Sequence, residues 1–490
     1  MKKFIYIIAL LTVFTSCKKF LDVKPESQID KDQLFSTEEG FKEALNGVYT
    51  FCASQNLYGG NLTFSTLDIM AQNYDFSTNA ILQKVASFDY TDPGTIAKKD
   101  TVWANAYRGI ANCNNILGTI DSKKALFTAN NYQIIKAEAL TIRAYLHFDI
   151  LRMFAPSYKS NPSAKAIPYV TTVINKTIPF STVTQTLDLI IADLNNAKIL
   201  LKETDPIVSS SYIVGYPDDP LNTEVTNPDL FLQNRRHRMN YYSVCGELAR
   251  VYLYKNDLTN SLSNAQEVIN STKFPWTAEA DFFQKDNTKI DRICYKELIS
   301  AWYIPQSKIE LEGLFTNANP DYSATTSQIE DIYEKAQSGA DDWRFKQWFL
   351  KTTSITGGPE RSMLQKYVNN TTPVVNLYPL VAPAIRLTEM YYIAAEASFE
   401  SNPEMAMNYY NTVRLHRGIG ATVTGLTDKQ QLIELLLIEA RKEFYGESQI
   451  LFMYKRLNHA VKVSSTQVIP ASDNIFVFPL PIDEQAYRNN

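Results

Sequence analysis

The 490-residue sequence has no HExxH zinc motif, no GxSxG nucleophile elbow, no glycine-rich phosphate loop, no EF-hand loop and no CxxC pair. Metalloprotease, serine hydrolase, nucleotide-binding, calcium-binding and dithiol redox chemistry therefore lack the residue types they need at the spacing they need. Histidine is scarce, with four in all. His147 falls among apolar residues of a helix, where a core role outweighs ligation. His237 sits in Arg235-Arg236-His237-Arg238, read as a solvated basic turn, and His416 and His459 fall near helix ends, where positive charge is favourable. No apolar run reaches the roughly 20 residues of a membrane helix. Positive charge is not in excess, with 48 Lys+Arg against 52 Asp+Glu, so nucleic acid is not an expected partner. A glycosidase needs two carboxylates across a bond, and the sequence cannot select a pair from so many acids. No catalytic residue, metal or cofactor is expected.

What is present begins at the N-terminus. Lys2 and Lys3 precede an uncharged run from Phe4 to Phe14, and small Ser16 stands before Cys17, the order of a secretory signal with its cleavage site. A cysteine at the first mature position supplies the thiol and the freed amine that lipoprotein processing acylates, and several acyl chains anchor where one does not. Residues 1–16 are read as a lipoprotein signal peptide, Cys17 as the lipid attachment point, and 17–34 as anchor and tether. The alternative is an ordinary secretory signal with an incidental cysteine. Cys52, Cys113 and Cys245 fall on apolar helical faces and read as buried free thiols; together with Cys294 they leave any disulfide pairing undetermined.

Residues 35–490 read as one large, mostly α domain. Ser36 and Glu39 have capping-box spacing, and Phe41, Leu45, Val48, Tyr49 and Cys52 form a helical stripe. Residues 53–99 lose that period and read as irregular surface. Asp100 is expected to cap a helix carrying Trp103, Tyr107, Ile110, Cys113 and Leu117. Helices follow over about 128–154, 181–201, 240–255, 258–270, 387–400, 403–416 and 427–445, with another to about 460. Arg143-Ala144-Tyr145-Leu146 and Arg250-Val251-Tyr252-Leu253 echo one another, and Met390-Tyr391-Tyr392-Ile393 occupies a similar place. Helix pairs at about 128–201, 240–270 and 387–416 therefore have the look of tetratricopeptide-like repeats.

Aromatic residues are plentiful, with 29 Tyr, 25 Phe and 5 Trp. A sugar's C–H face stacks on such rings while Asn, Asp or Arg bond its hydroxyls. Trp103 is periodic and reads as core. Trp302, Tyr303, Trp343 and Trp348 lie outside clear stripes, and Asp68, Asn73 and Tyr74 lie on the early irregular stretch. These seven are the candidate ligand-binding residues.

Further blocks recur in order: Phe20-Leu21-Asp22 and Pro25 after Cys17, Ala137-Glu138-Ala139 with Arg143-Ala144-Tyr145, Leu248 to Leu253, Asp342-Trp343-Arg344, Arg386-Leu387 through Glu396-Ala397, Arg414 with Arg417-Gly418, then Glu439, Arg441, Glu443-Phe444, Arg456 and Pro479-Leu480-Pro481. In these the chain resembles the SusD/RagB-like outer-membrane nutrient-binding lipoproteins over nearly all of its mature length. It departs from their pattern at Glu447-Ser448-Gln449-Ile450 and at Met453. The resemblance implies four tetratricopeptide-like helix pairs that scaffold an irregular, loop-rich binding region. It implies a location on the cell exterior and a SusC-like TonB-dependent β-barrel partner, to which captured oligosaccharides pass. Peptides, as in the RagB-like branch, are the alternative ligand, and a secreted hydrolase is a third reading.

Overall fold

Helices follow one another along the chain, each packed on the next. The computed structural model describes residues 31–77, 79–174, 176–316, 322–353, 358–369 and 376–488. The signal, Cys17 and most of the tether lie outside these residues. Helix α1 (Glu38–Cys52) is capped by Thr37, whose hydroxyl accepts from the Gly40 N–H at 3.1 Å. The cap is thus Thr37 and not the expected Ser36. Helix α2 (Pro93–Ile120) starts a full two turns before Asp100, because Asp92 caps it and Pro93 occupies the first turn, where a missing N–H costs nothing.

Helices α3 (Asn131–Phe154), α4 (Val183–Leu201), α5 (Tyr241–Tyr254), α6 (Leu258–Asn270), α7 (Leu387–Ser398) and α8 (Pro403–Leu415) continue the row. From α1 through α7 each helix touches the next, ending with α8. Thr182 and Gln185 form a capping box for α4, and Asn240 caps α5, as their side-chain oxygens suit them to do. Close approach is built in: a Cβ on Gly109 of α2 would stand 2.9 Å from Leu146 of α3. Helix α9 (Lys429–Glu443) lies against α7, and α10 (Gln449–Leu457) follows it. The turn between them uses Gly446 at φ +77°, a conformation that a side chain would strain.

Strands are few. β1 (Leu298–Tyr303) pairs antiparallel with β5 (Val381–Arg386), from Leu298 with Arg386 to Tyr303 with Val381, with an irregularity in register around Ser300. β2 (Ala324–Thr325), β4 (Arg361–Leu364) and β3 (Phe349–Thr352) make a second small sheet in that order, and β6 (Val461–Lys462) pairs with β7 (Val468–Ile469). One continuous apolar cluster runs from Phe35 to Phe478, so the irregular segments share a core with the helices.

Two expectations are corrected. The stretch from Leu57 to Phe76 is largely interior, with Leu57, Phe64, Ile69 and Met70 fully buried. It lacks a helical period because neighbours cover it on several sides. The run Arg235-Arg236-His237 is likewise no solvated turn. Arg235 donates to both oxygens of Asp205 at 2.8 and 3.0 Å and to Glu138 at 2.7 Å, and Arg236 clasps Glu224. Among the described residues, Cys52, Cys113, Cys245 and Cys294 are buried and free. His147 is core, its Nδ1 bonded to the Arg143 carbonyl at 2.8 Å and its Nε2 accepting from the Val170 N–H at 3.0 Å; burial holds its pKa down to about 3.

Candidate ligand-binding cleft

A short helix, Thr66–Met70, leads into the strap Gln72 to Ser77, and a second, Ala80–Ala86, follows it. The strap is fastened from below. Asp68 accepts from the Asn73 amide and from the Ser448 backbone N–H, both at 3.2 Å, and from the Tyr74 phenol. Asn73 in turn accepts from Arg441 Nε at 3.2 Å, and its carbonyl accepts from the Tyr445 phenol at 2.6 Å. Arg441 also donates to the Gln72 carbonyl at 2.7 Å. Burial pushes the Asp68 carboxyl up to about 7, outweighing the hydrogen bonds it accepts. At the far side Asp75 accepts from Arg361 at 2.9 Å and from the Ser77 N–H at 2.9 Å, and these contacts hold its carboxyl below the usual range.

Above this foundation lies an open cleft of about 1100 Å³. Its walls are the 72–87 segment, the helix Thr326–Ile332 with the turn after it, the exposed side of α9, and the β6–β7 hairpin. Gln83, Gln328, Gln337, Lys84, Lys335 and Glu434 supply polar groups, and the nearly buried rings of Tyr74, Phe76 and Tyr454 lie beneath them. A smaller depression of about 340 Å³ lies across the Asn79–Leu82 ridge, lined in part by Gln55, Asn61, Lys98 and Glu310. Tyr322 belongs to it and packs 5.1 Å from the Tyr74 ring and 5.5 Å from Phe76, so one aromatic cluster underlies both hollows.

The sequence-derived candidates divide. Asp68, Asn73 and Tyr74 do come together, but as the buried fastening of the strap; of the seven, Tyr74 alone forms part of the cleft wall. Trp302 is interior, stacked 4.5 Å from Tyr58 and edge-on to Tyr145. Trp348 is fully buried with Lys366 over its ring at 4.1 Å. Trp343 is half-buried against Phe282 at 5.5 Å. Tyr303 is exposed and stacks on His237 at 5.7 Å. The glutamines of the cleft carry no spacing signal, because four segments far apart in sequence assemble it.

Cys294, Glu297 and Glu443 bring three ligand-type atoms within 4.8 Å. Arg417 already sits between the two carboxylates, donating to Glu297 at 2.6 and 3.1 Å and to Glu443 at 2.9 Å. The guanidinium fills the place a cation would take, and the donor set does not fit a metal.

A family model described as "Starch-binding associating with outer membrane" matches residues 19–210, and the model of the SusD family matches residues 253–487. SusD-like protein P2 of Formosa agariphila is 24% identical, with 100% of this chain and 98% of the relative covered. Among solved structures, a SusD-like carbohydrate binding protein from Bacteroides vulgatus superposes with TM-score 0.71 at 18% identity, covering 93% of this chain and 97% of the other. A SusD superfamily protein from Bacteroides thetaiotaomicron gives TM-score 0.70 at 18% identity over 92% and 98%. Two SusD-type models together cover most of the chain, the solved SusD-like structures share its fold, and the chain belongs to the SusD-like family.

Proposed function

We propose that this chain is a lipoprotein of the outer membrane that faces the cell exterior, binds oligosaccharides in the cleft above Asp68, and delivers them to a SusC-like TonB-dependent β-barrel. The observation that carries the reading is the cleft: about 1100 Å³, open, lined by amide and charged groups over aromatic rings. Sugar hydroxyls both donate and accept, and glutamine amides answer both demands. Tyr74 and Phe76 back the cleft as a nearly buried apolar floor, 6% and 5% exposed. The hydrogen bonds through Asp68, Arg441 and Tyr445 and the Asp75–Arg361 pair hold the strap in place before a ligand arrives, which lowers the ordering cost of binding.

Anchoring belongs to the same reading. With Cys17 acylated, residues 18–30 extend at most about 45 Å, enough to let the folded body settle on a barrel beside it. The family description of association with the outer membrane supports this location. Co-isolation from detergent-solubilised membranes tests the partner: a large β-barrel should come down with the tagged lipoprotein, and its consistent absence would remove the delivery step. A glycan array set against a peptide mixture tests the ligand class, and peptide binding with no glycan bound would replace the saccharide reading with a RagB-like one.

A further inference from the structure

On another part of the surface, residues 283–292 and 346–350 enclose a groove of about 400 Å³. Lys285, Arg292 and Lys346 reach its walls, and among the described residues no carboxylate does. That is unexpected in a chain of formal charge −4. The nearby acids are committed elsewhere. Asp286 turns to the Thr288 N–H and hydroxyl at 2.9 and 2.7 Å, and Asp291 turns inward to the Tyr216 phenol at 2.9 Å and the Tyr295 N–H. Lys346 meets only Asp341, at 3.4 Å, a residue whose side chain is 79% exposed.

Arg292 is the distinctive member. The fully buried arginines each hold a carboxylate, as Arg235, Arg344 and Arg417 do. Arg292 is half-buried, its Nε has no hydrogen-bond partner, and its side chain makes no ion pair among the described residues. A guanidinium largely withdrawn from water with no carboxylate in contact is costly, and an anion reaching the groove would relieve that cost through charge-assisted hydrogen bonds. Between the cations stand the amides of Gln284 and Gln347, and Phe283 presents an exposed ring. Amides and a ring face suit a saccharide.

We propose that this groove is a second binding site, selective for saccharides bearing carboxylate or sulfate groups. The inference rests on the reading of the chain as a saccharide-binding protein and adds the charge class of the ligand. Calorimetric titration of the soluble chain at physiological ionic strength, with oligogalacturonate, a sulfated chondroitin oligosaccharide and a neutral maltooligosaccharide, tests it. The acidic ligands should bind at least tenfold more tightly than the neutral one. That advantage should shrink in Lys285→Gln/Lys346→Gln, whose exposed positions leave folding untouched, and disappear when Arg292→Gln is added, while any neutral-ligand binding stays unchanged. Neutral binding with no preference for the acidic ligands, or a preference that survives all three substitutions, overturns the proposal alone. An acidic peptide of equal charge bound as tightly as the acidic saccharides overturns it too. Failure of every saccharide to bind overturns the functional reading beneath it as well.

Discussion

The phenol of Tyr74 donates to the buried carboxylate of Asp68, and the same carboxylate accepts from the backbone N–H of Ser448 at the start of α10. The floor of the cleft is thereby tied to the C-terminal helices, 380 residues away in sequence.

This tie titrates. Burial raises the Asp68 carboxyl from 3.8 to about 7. Between those values the folded chain keeps a proton that the unfolded chain has lost, so the contribution of Asp68 to stability falls as pH rises through that window. Asp68→Asn removes the dependence. Relative to the parent, the variant should gain stability between about pH 5 and pH 8, by up to about 2.5 kcal/mol, the part of the shift that this window spans. Urea unfolding at both pH values measures the gain, and a difference that does not change with pH would show that Asp68 is ionised throughout.

Glu443 takes hydrogen bonds from Arg344, Arg386 and Arg417, all at 2.8 to 2.9 Å. These neighbours hold its carboxyl well below the usual range despite its burial. Glu443→Gln leaves three guanidinium groups short of charge in the interior, a change expected to cost about 3–5 kcal/mol. Thermal unfolding should show it plainly, and an unshifted midpoint would mean that the network contributes little.

Trp302 and Tyr303 are neighbours on β1 with opposite fates, 1% and 51% exposed. Trp302→Ala should destabilise by about 3–5 kcal/mol through the cavity it leaves, whereas Tyr303→Ala should stay within about 0.5 kcal/mol. Denaturant midpoints of the two variants compare them directly. Equal effects would contradict the placement of the strand.

The free thiols give a chemical check. Cys52, Cys113, Cys245 and Cys294 are buried, and burial pushes the Cys113 and Cys245 thiols up to about 12. In a soluble chain that begins after Cys17, a thiol reagent should react with the native protein only on the timescale of unfolding and should find all four groups in denaturant. Rapid labelling of the folded chain, or fewer groups after unfolding, would contradict this.

Much of the helical row is legible in the sequence because most of its helices show one apolar stripe; α3 (Asn131–Phe154), buried on all faces, is the exception. Leu187, Ile190 and Leu194 mark α4, and Asn240 announces α5. The segment around Phe64 and Ile69 is not legible, since burial on several sides erases the period that separates inside from outside. Arg235 misleads for a related reason: Glu138, its partner, lies 97 residues away, so the charge run reads as solvated. Trp302 and Trp348 lack a helical stripe because they belong to strand and turn, and their burial depends on rings such as Tyr58 and on Lys366, brought in from elsewhere. The resemblance supplied the family, while the walls of the cleft required the folded chain.

Saccharide capture in the cleft is tested most directly by titrating the soluble chain with oligosaccharides, beside the variant Gln83→Ala/Gln328→Ala. The parent should bind without consuming its ligand. The variant should unfold at the same temperature yet bind more weakly by about 1–3 kcal/mol, the cost of two lost hydrogen bonds. Unchanged affinity in a folded variant, or binding only of peptides, would contradict a saccharide site above Asp68.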